Sequence, residues 1–205
     1  MIAIIDYGLG NLQAFANIYR RLGLEVFAAR EPKDLLKAKK LILPGVGAFD
    51  WAMERLNASG LRTALDEAVL GRRVEVLGVC VGMQMMAQRS EEGKLQGLGW
   101  ISGDVVRFDT ATLIQKTHLP HMGWNDVTPT TTDGLFRGLE APRYYFLHSY
   151  FIEPTNAEDS LATTQYGRSF TSAIARDNIY GTQFHPEKSH NWGTQLLANF
   201  ARVKD

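Results

Sequence analysis

Residues 74–84 read VEVLGVCVGMQ and contain Cys80, the one cysteine of the sequence. An apolar run stops at Gly-x-Cys-x-Gly and continues with helix-forming residues. This pattern is typical of a nucleophile elbow that carries sulfur instead of the serine oxygen. Gly78 and Gly82 allow a sharp turn and let neighbouring chain pass close by. We therefore predict a strand over residues 74–79, a turn at Cys80 and a helix directly after it.

The place of Cys80 at the start of a helix bears on its chemistry. The partial positive charge of a helix N-terminus favours a thiolate over a thiol. A lone cysteine is otherwise usually a small buried hydrophobic residue. The two flanking glycines and the preceding strand favour a nucleophile at this position.

The composition is that of a globular protein. Its 205 residues are enough for one domain, predicted over residues 1–205. Lys+Arg and Asp+Glu both count 22, so no net charge attracts nucleic acid or a membrane surface. The N-terminus lacks the basic region of a signal sequence, and no apolar run approaches the roughly 18 residues of a membrane span. Because one cysteine cannot form an internal disulfide, we expect a cytoplasmic protein.

The first half alternates short apolar runs with amphipathic stretches, which predicts parallel strands joined by helices. The predicted strands are residues 1–5, 25–28, 41–43 and 74–79, and the predicted helices are residues 11–22, 33–38, 48–56 and 61–70. Ligands bind beyond the carboxyl ends of strands in such sheets. Residues 6–11, residues 44–47 and Cys80 all follow strands in this way.

The second half contains strand-like runs joined by turns and ends in a helix. The strand-like runs are residues 100–108, 125–128, 144–152, 161–166, 171–176 and 179–184, and the helix is residues 192–202. These runs predict antiparallel additions to the sheet or a second small sheet. The expected fold class is α/β with three layers, in which helices flank a central, mostly parallel or mixed sheet.

A cysteine nucleophile needs a base, and the base needs an orienting group. His185 is the strongest candidate among five histidines, because it ends a strand-like run and precedes Pro186 and Glu187. A residue before proline is extended, and positions i and i+2 of extended chain point to the same side. We therefore predict a catalytic triad of Cys80, His185 and Glu187. A surface histidine beside a solvated glutamate is the alternative.

Acyl transfer also needs hydrogen-bond donors for the developing oxyanion. The backbone N–H of Val81, directly after the nucleophile, is one candidate. A second is the turn Pro44-Gly45-Val46-Gly47, in which the N–H of Val46 or Gly47 could face the thiol. By itself, this turn is equally consistent with an ordinary connection from strand to helix.

No cofactor and no metal site is predicted. Gly8-Leu9-Gly10 does not open a dinucleotide-binding loop, because Gln13 occupies the position of the third glycine. His118 and His121 have no second Cys/His pair, so we expect their segment to be extended and to face solvent or a partner. The aromatic run at residues 144–146 is most simply a core strand.

These motifs together resemble the class I, or triad-type, glutamine amidotransferases. Residues 78–84 (GVCVGMQ) and 183–187 (QFHPE) carry that resemblance. Further segments are similar in order and spacing to the glutaminase subunit of imidazole glycerol phosphate synthase. They are residues 6–11 (DYGLGN), 44–47 (PGVG), 120–125 (PHMGWN) and 146–150 (FLHSY).

The resemblance implies an activity. Cys80 would attack the side-chain amide of L-glutamine, giving a γ-glutamyl thioester and ammonia, while His185 moves protons and Glu187 orients it. The resemblance also implies the glutamine-binding residues Gln84, Glu92, Ser149 and Tyr150, and the oxyanion-facing residues Val46, Gly47 and Val81.

The resemblance further implies a partner. In the family, a separate (β/α)8-barrel synthase (cyclase) subunit docks over the active site as a heterodimer and consumes the ammonia in histidine biosynthesis. Asn11, Trp124 and Lys188 match positions at that docking face. Taken alone they would be a helix cap, a half-buried aromatic residue and a surface lysine. The turn at residues 44–47 is implied to hold one oxyanion donor misdirected until the synthase binds its ligand.

The motifs leave the ammonia acceptor open. A paralogous subunit that supplies ammonia for amidation of a surface sugar would carry the same catalytic segments. A stand-alone cysteine hydrolase and a non-enzymatic binding module are more distant alternatives. Robust hydrolysis without a partner would favour the hydrolase, and hydrolysis that survives loss of Cys80 would favour the binding module.

Overall fold

The computed structural model describes residues 1–109, 111 and 118–203. Its strands are β1 (Ile2–Ile5), β2 (Val26–Ala29), β3 (Lys40–Gly45), β4 (Glu75–Cys80), β5 (Arg89–Ser90), β6 (Gly103–Arg107), β7 (His121–Asp126), β8 (Thr128–Pro129), β9 (Arg143–His148), β10 (Tyr150–Pro154), β11 (Ser160–Tyr166), β12 (Arg168–Arg176) and β13 (Ile179–Thr182). The α-helices are α1 (Leu12–Arg21), α2 (Phe49–Ala58), α3 (Arg62–Asp66), α4 (Val81–Gln84) and α5 (His190–Arg202).

The central sheet is mixed and has eight strands in the order β2-β1-β3-β4-β13-β12-β11-β8. The first five pair in parallel, whereas β12, β11 and β8 are added antiparallel. This arrangement confirms the predicted fold class. It also brings β13, which comes late in the sequence, directly beside β4 and its elbow.

Two smaller sheets complete the second half. One has the order β10-β6-β5, and the other pairs β7 with β9. The small sheets lie against the antiparallel part of the central sheet, since β10 contacts β12 and β7 contacts β11. The residues that follow β9 are therefore carried towards the carboxyl end of β4.

The helices bury one face against the central sheet. α1 is amphipathic, and its buried residues are Phe15, Ala16, Ile18 and Tyr19. Asn11 caps this helix, because its side chain accepts a hydrogen bond from the N–H of Ala14. β3 is buried along its whole length, as expected for a central parallel strand.

Two predicted helices of the first half differ in type from ordinary α-helix. The segment expected at residues 33–38 is a 3₁₀-helix over Pro32–Lys37, where Asp34 bonds back to the N–H of Glu31. The helix expected at 61–70 is α3 followed by a π-turn over Glu67–Gly71. Asn178 donates to the carbonyl of Val69 at 2.9 Å, which holds this turn from outside the helix.

Several predicted strands of the second half have wrong bounds. The run at 144–152 is two strands, β9 and β10, which belong to different sheets and are separated at Ser149. Aromatic and aliphatic residues on both sides of His148 and Ser149 hide this change of sheet. The strand expected at 125–128 begins earlier as β7, and the strand expected at 100–108 begins only at Gly103 as β6.

No helix of the described residues is long and apolar enough to cross a membrane.

Candidate active site

The elbow has the geometry that the glycine pattern predicts. Cys80 ends β4 and is the N-cap of α4, with φ +55° and ψ −116°. L-residues rarely adopt this backbone conformation, which costs of order 1–3 kcal/mol and persists only where the surroundings impose it. The turn is therefore a strained feature that places the sulfur at the carboxyl edge of the sheet.

Close backbone packing imposes this conformation. A Cβ on Gly82 would overlap the carbonyl oxygen of Leu43, and a Cβ on Gly45 would overlap the N–H of Gly82. A Cβ on Gly78 would lie 2.7 Å from Cε of Met86. The elbow thus presses directly on β3, and Gly45 of the Pro-Gly-Val-Gly turn pairs with Cys80 in the sheet.

His185 and Glu187 follow β13, the strand beside β4. His185 is extended, with φ −101° and ψ 93°, and its N–H donates to the carbonyl of Tyr145 at 2.9 Å. Its Nδ1 lies 2.8 Å from Oε1 of Glu187, and only 4% of either side chain is exposed. Because a carboxylate can only accept, Nδ1 carries the proton and Nε2 is left for the sulfur.

The surroundings of His185 favour its protonated form. Burial lowers its pKa. Hydrogen bonds to Cys80 and Glu187, together with the negative charge of these groups, raise the pKa by more than burial lowers it. The net result is a pKa raised from 6.5 to about 9. The imidazole is therefore set to hold a proton beside the sulfur at neutral pH.

A cavity of about 330 Å³ opens at the sulfur. Its walls come from six regions of the chain: the turn after β3, the elbow with α4, the residues after β5, the residue before β7, the segment from the end of β9 to the start of β10, and the residues after β13. The lining residues are Val46, Gly47, Cys80, Val81, Gln84, Glu92, Pro120, Leu147, His148, Ser149, Tyr150, His185 and Lys188.

Most of the predicted site residues meet at this cavity. The lining includes every predicted oxyanion and glutamine-binding residue, as well as Lys188. Glu187 is buried behind His185 and does not line the cavity. Asn11 and Trp124 lie outside the lining.

Two polar residues of the cavity are held by specific hydrogen bonds. Glu92 accepts from the N–H of Phe49 at 2.9 Å, at the start of α2. Nε2 of Gln84 donates to the carbonyl of Tyr150 at 2.9 Å and to Oε1 of Gln183 at 3.0 Å. Their positions are therefore set by the fold before any ligand arrives.

The sequence prediction missed Gln183, whose Nε2 lies 3.8 Å from the sulfur of Cys80. A signal was present, since Gln183 is two residues before His185 and extended chain directs both side chains to one side. The carbonyl of Leu147, 3.9 Å from the sulfur, was also missed. No side-chain pattern could reveal a backbone contact of that kind.

The expectation for the segment around His121 was partly wrong. The segment is extended as β7 and His118 is exposed, but His121 is buried and its Nδ1 lies 2.9 Å from Nε2 of His148. The described residues contain no group of three or more His, Cys, Asp or Glu side chains that could hold a metal ion.

Solved structures share this fold. A structure described as a glutamine amidotransferase superposes with a TM-score of 0.76 at 18% identity, covering 98% of this chain and 97% of the other. The glutaminase domain of CTPS from Trypanosoma brucei, solved with bound acivicin, superposes with a TM-score of 0.67 at 16% identity, covering 100% of this chain and 94% of the other.

Sequence comparison gives a narrower result. The family model of glutamine amidotransferase class-I matches residues 3–203. The imidazole glycerol phosphate synthase subunit HisH of Bdellovibrio bacteriovorus is 55% identical, covering 99% of this chain and 100% of the relative. The corresponding subunit of Leptospira interrogans is 48% identical with the same coverage. The chain therefore belongs to the class-I glutamine amidotransferase family, among the HisH subunits of imidazole glycerol phosphate synthase.

Proposed function

We propose that this chain hydrolyses L-glutamine to glutamate and ammonia and passes the ammonia to a synthase subunit in histidine biosynthesis. The observation that carries this proposal is that Cys80, on a strained elbow, and His185, which is bonded to the buried Glu187, line one cavity. The relatives named above, which match along their whole length, support the same pathway.

The reaction begins at the sulfur. With Nδ1 of His185 bonded to Glu187, the Nε2–H is directed to Cys80 and pairs with the thiolate. Sγ attacks the side-chain amide carbon of glutamine, and a C–S bond forms as the carbonyl oxygen becomes an oxyanion. His185 then gives its proton to the amide nitrogen, the C–N bond breaks, and ammonia leaves a γ-glutamyl thioester.

Hydrolysis of the thioester reverses these proton transfers. The neutral imidazole of His185 takes a proton from water, whose oxygen attacks the thioester carbon. The C–S bond breaks, glutamate leaves, and the sulfur and imidazolium are restored. Glu187 keeps its bond to Nδ1 throughout and stabilises the imidazolium.

The other residues of the cavity bind rather than react. The N–H of Val81, directly after the nucleophile, is assigned to the oxyanion together with an N–H of Val46 or Gly47. The carboxylate of Glu92 provides a counter-charge for the α-ammonium of glutamine. We also assign Gln84, Ser149 and Tyr150 to glutamine binding.

The surface around the cavity supports a protein partner. Met122 and Trp124 of β7 pair with Leu147 and Tyr145 of β9, so these side chains share the outer face of the small sheet. Met122, Trp124 and Leu147 are exposed, as is Val46 at the cavity. An apolar patch of this kind marks an interaction site.

The partner we propose is the (β/α)8 cyclase subunit, bound as a heterodimer that has lyase activity as a whole. Lys188 at the cavity and Asn11 at the start of α1 are assigned to the same docking face. The whole of residues 1–205 is assigned to one domain; residues 110, 112–117 and 204–205 lie outside the described residues. We place the protein in the cytoplasm, where a free cysteine stays reduced.

Glutamate release tests this function. The full chain is mixed with cyclase subunits from the histidine pathway, each with its nucleotide acceptor, and with partners that amidate sugars. We expect low hydrolysis by the chain alone, a large increase with the histidine-pathway partner, and loss of activity in Cys80→Ala. Full activity without a partner, or activity in Cys80→Ala, would contradict the proposal.

A further inference from the structure

Two buried histidines lie next to the candidate triad and have no role in the reaction above. Nδ1 of His121, on β7, is 2.9 Å from Nε2 of His148, at the end of β9. Both side chains are almost fully buried. A buried pair of titratable rings in direct contact calls for a physical reason.

The hydrogen bonds of the pair fix the proton on each ring. Nδ1 of His148 lies 2.8 Å from the carbonyl of Tyr150, which can only accept, so this nitrogen carries the proton. Nε2 of His148 must then accept from Nδ1–H of His121. Nε2 of His121 in turn accepts from the amide of Asn125 at 3.2 Å. The polarity runs one way, from Asn125 through both rings to Tyr150.

The packing around the rings favours neutral imidazoles. The rings of Phe146 and Tyr166 stack on His121, with centroids 4.6 Å and 3.9 Å away. Burial lowers the pKa of His121 to about 4. Burial, followed by the charges of His121 and His185, lowers the pKa of His148 to about 3 against the hydrogen bond to Tyr150. Each ring therefore keeps one N–H and one acceptor at neutral pH.

The carbonyl of Tyr150 connects the histidines to the cavity. It accepts from His148 and also from Nε2 of Gln84, at 2.9 Å. The same amide group of Gln84 donates to Oε1 of Gln183, which leaves Nε2 of Gln183 directed at the sulfur of Cys80, 3.8 Å away. A single backbone carbonyl thus determines the orientation of two amide side chains beside the nucleophile.

The backbone next to this carbonyl is tied to β6, since the N–H of Phe108 donates to the carbonyl of Ser149 at 3.2 Å. β9 and β10 belong to different sheets, and the chain passes between them at Ser149. After the junction, Tyr150 pairs with Arg107 on β6. Nδ1 of His148 donates to the carbonyl two residues later and so adds a bond across the junction between the two sheets.

We propose that His148 and His121 are positioning residues of the glutaminase site, which hold the Tyr150 carbonyl and thereby the amides of Gln84 and Gln183. This inference rests on the proposed function, because it assigns the site a glutamine substrate. His148 holds the carbonyl directly, and His121 supplies the N–H that keeps His148 in the required tautomer.

Two variants at one position separate this role from simple packing. In His148→Asn the amide nitrogen replaces Nδ1 and can still donate to Tyr150. In His148→Gln the amide lies near the place of Nε2, and the donor to Tyr150 is lost. We expect the glutamine KM of the chain with its cyclase partner to rise about tenfold in His148→Gln, and about threefold or less in His148→Asn.

A purely structural role predicts the opposite order, because asparagine leaves the larger cavity. Glutamine affinity can also be measured by calorimetry after each substitution is combined with Cys80→Ala, because this measurement does not depend on turnover. We again expect the larger loss for His148→Gln. His118→Gln changes an exposed histidine outside the pair and serves as the control. The proposal would be overturned if the two substitutions at His148 changed KM and affinity equally, or if His148→Asn had the larger effect.

Nitrogen NMR of the unmodified chain provides a test that needs no variant. We expect both rings to carry the proton on Nδ1 and to remain neutral between about pH 5 and pH 8. A proton on Nε2 of either ring, or titration near the ordinary histidine pKa, would overturn the proposal. If the unmodified complex fails to hydrolyse glutamine, the proposed function fails instead, and the NMR result still decides the tautomers.

Discussion

At the scale of single residues, the backbone of Cys80 has an unfavourable conformation that lowers the stability of the folded chain at the candidate site. Its φ of +55° is one that glycine adopts freely and other residues adopt at a cost. The backbone at Gly45 and Gly82 is packed so closely that an added Cβ would overlap its neighbours, so the chain cannot relax there without moving β3. The strain is therefore retained in the folded state.

Removing the strain is expected to stabilise the protein. Cys80→Gly and Cys80→Ala both lack the sulfur, but only alanine keeps the unfavourable conformation. Strain of about 1–3 kcal/mol, less about 0.5–1 kcal/mol for the freedom of glycine in the unfolded chain, leaves the glycine variant about 1 kcal/mol more stable. Thermal or urea unfolding of the two variants measures this difference.

Ala52→Gly is the matched comparison, since Ala52 is buried within the ordinary helix α2. There the glycine variant is expected to be less stable than the unmodified chain, by about 1 kcal/mol. If alanine at position 80 proves as stable as glycine, Cys80 is not strained in solution.

The buried pair of His185 and Glu187 predicts a particular pH dependence. The imidazolium exists below the raised pKa of about 9, so hydrolysis is expected to decline above that pH as His185 loses its proton. Glu187→Gln keeps the size of the side chain but removes its charge. The decline is then expected at lower pH, with kcat reduced about 100-fold. A pH–rate profile of both proteins with the cyclase partner measures the shift.

The raised pKa of His185 also predicts how the free energy of unfolding depends on pH. A raised pKa stabilises the folded chain fully below the unfolded value of 6.5, and this contribution is lost as the pH rises through about 9. The difference in free energy of unfolding between the unmodified chain and Glu187→Gln is therefore expected to shrink between these two pH values. If hydrolysis by Glu187→Gln declines at the same alkaline pH as hydrolysis by the unmodified chain, Glu187 does not act on His185.

At the scale of elements, one side chain holds the unusual end of the α3 segment. Nδ2 of Asn178 donates to the carbonyls of Val69 and Val74, each at 2.9 Å, where the π-turn over Glu67–Gly71 leads into β4. Asn178 is buried. It thus fixes the start of the strand that ends at Cys80.

Substitution of Asn178 tests this link. Asn178→Ala leaves two carbonyls without a donor and is expected to lower the free energy of unfolding by about 2 kcal/mol. Asn178→Asp places an oxygen against both carbonyls and is expected to cost more. Asn57→Ala, on the exposed face of α2, is the control and is expected to change stability by less than about 0.5 kcal/mol. Urea unfolding compares the three; equal stability of all would contradict the role of Asn178.

The elements of the first half were predictable because their signals are local. Alternating apolar runs and amphipathic stretches define β1 to β4 and the helices between them. The π-turn was not predictable, since its cause is Asn178, more than a hundred residues further along the chain. The break between β9 and β10 was hidden for a related reason. Both strands are apolar, and only the different sheets to which they belong separate them.

The candidate site was predictable as far as the motifs reach. Cys80, His185 and Glu187 meet because β4 and β13 are neighbours, although the sequence gives no distance between them. The contact between His121 and His148 was not predictable from spacing. It depends on the antiparallel register of β7 and β9, in which these two residues are directly opposite. Register of this kind is a tertiary property that neither segment specifies alone.

At the scale of the whole molecule, exposed apolar residues lie at both ends of the central strands. Met122, Trp124 and Leu147 share one face of the small sheet, next to the cavity at the carboxyl ends of the central strands. Leu36 is also exposed, but it lies on the 3₁₀-helix just before β3 begins, at the opposite end of that strand. Met1, Leu24 and Leu70 are exposed as well and precede β1, β2 and β4. Both ends of the central strands therefore carry exposed apolar residues, and Leu36 is a matched position at the end away from the cavity.

A pair of matched substitutions tests whether the small sheet binds the partner. Met122 is 65% exposed and Leu36 is 71% exposed, so aspartate at either position is expected to leave the stability of the free chain nearly unchanged. An aspartate buried in a docked interface has no partner charge and costs about 2 kcal/mol or more, or roughly 30-fold in affinity. Calorimetric titration with the cyclase subunit is expected to show this loss for Met122→Asp and none for Leu36→Asp. If both variants bind the cyclase as the unmodified chain does, ammonia leaves the cavity by a different face and the small sheet has another role.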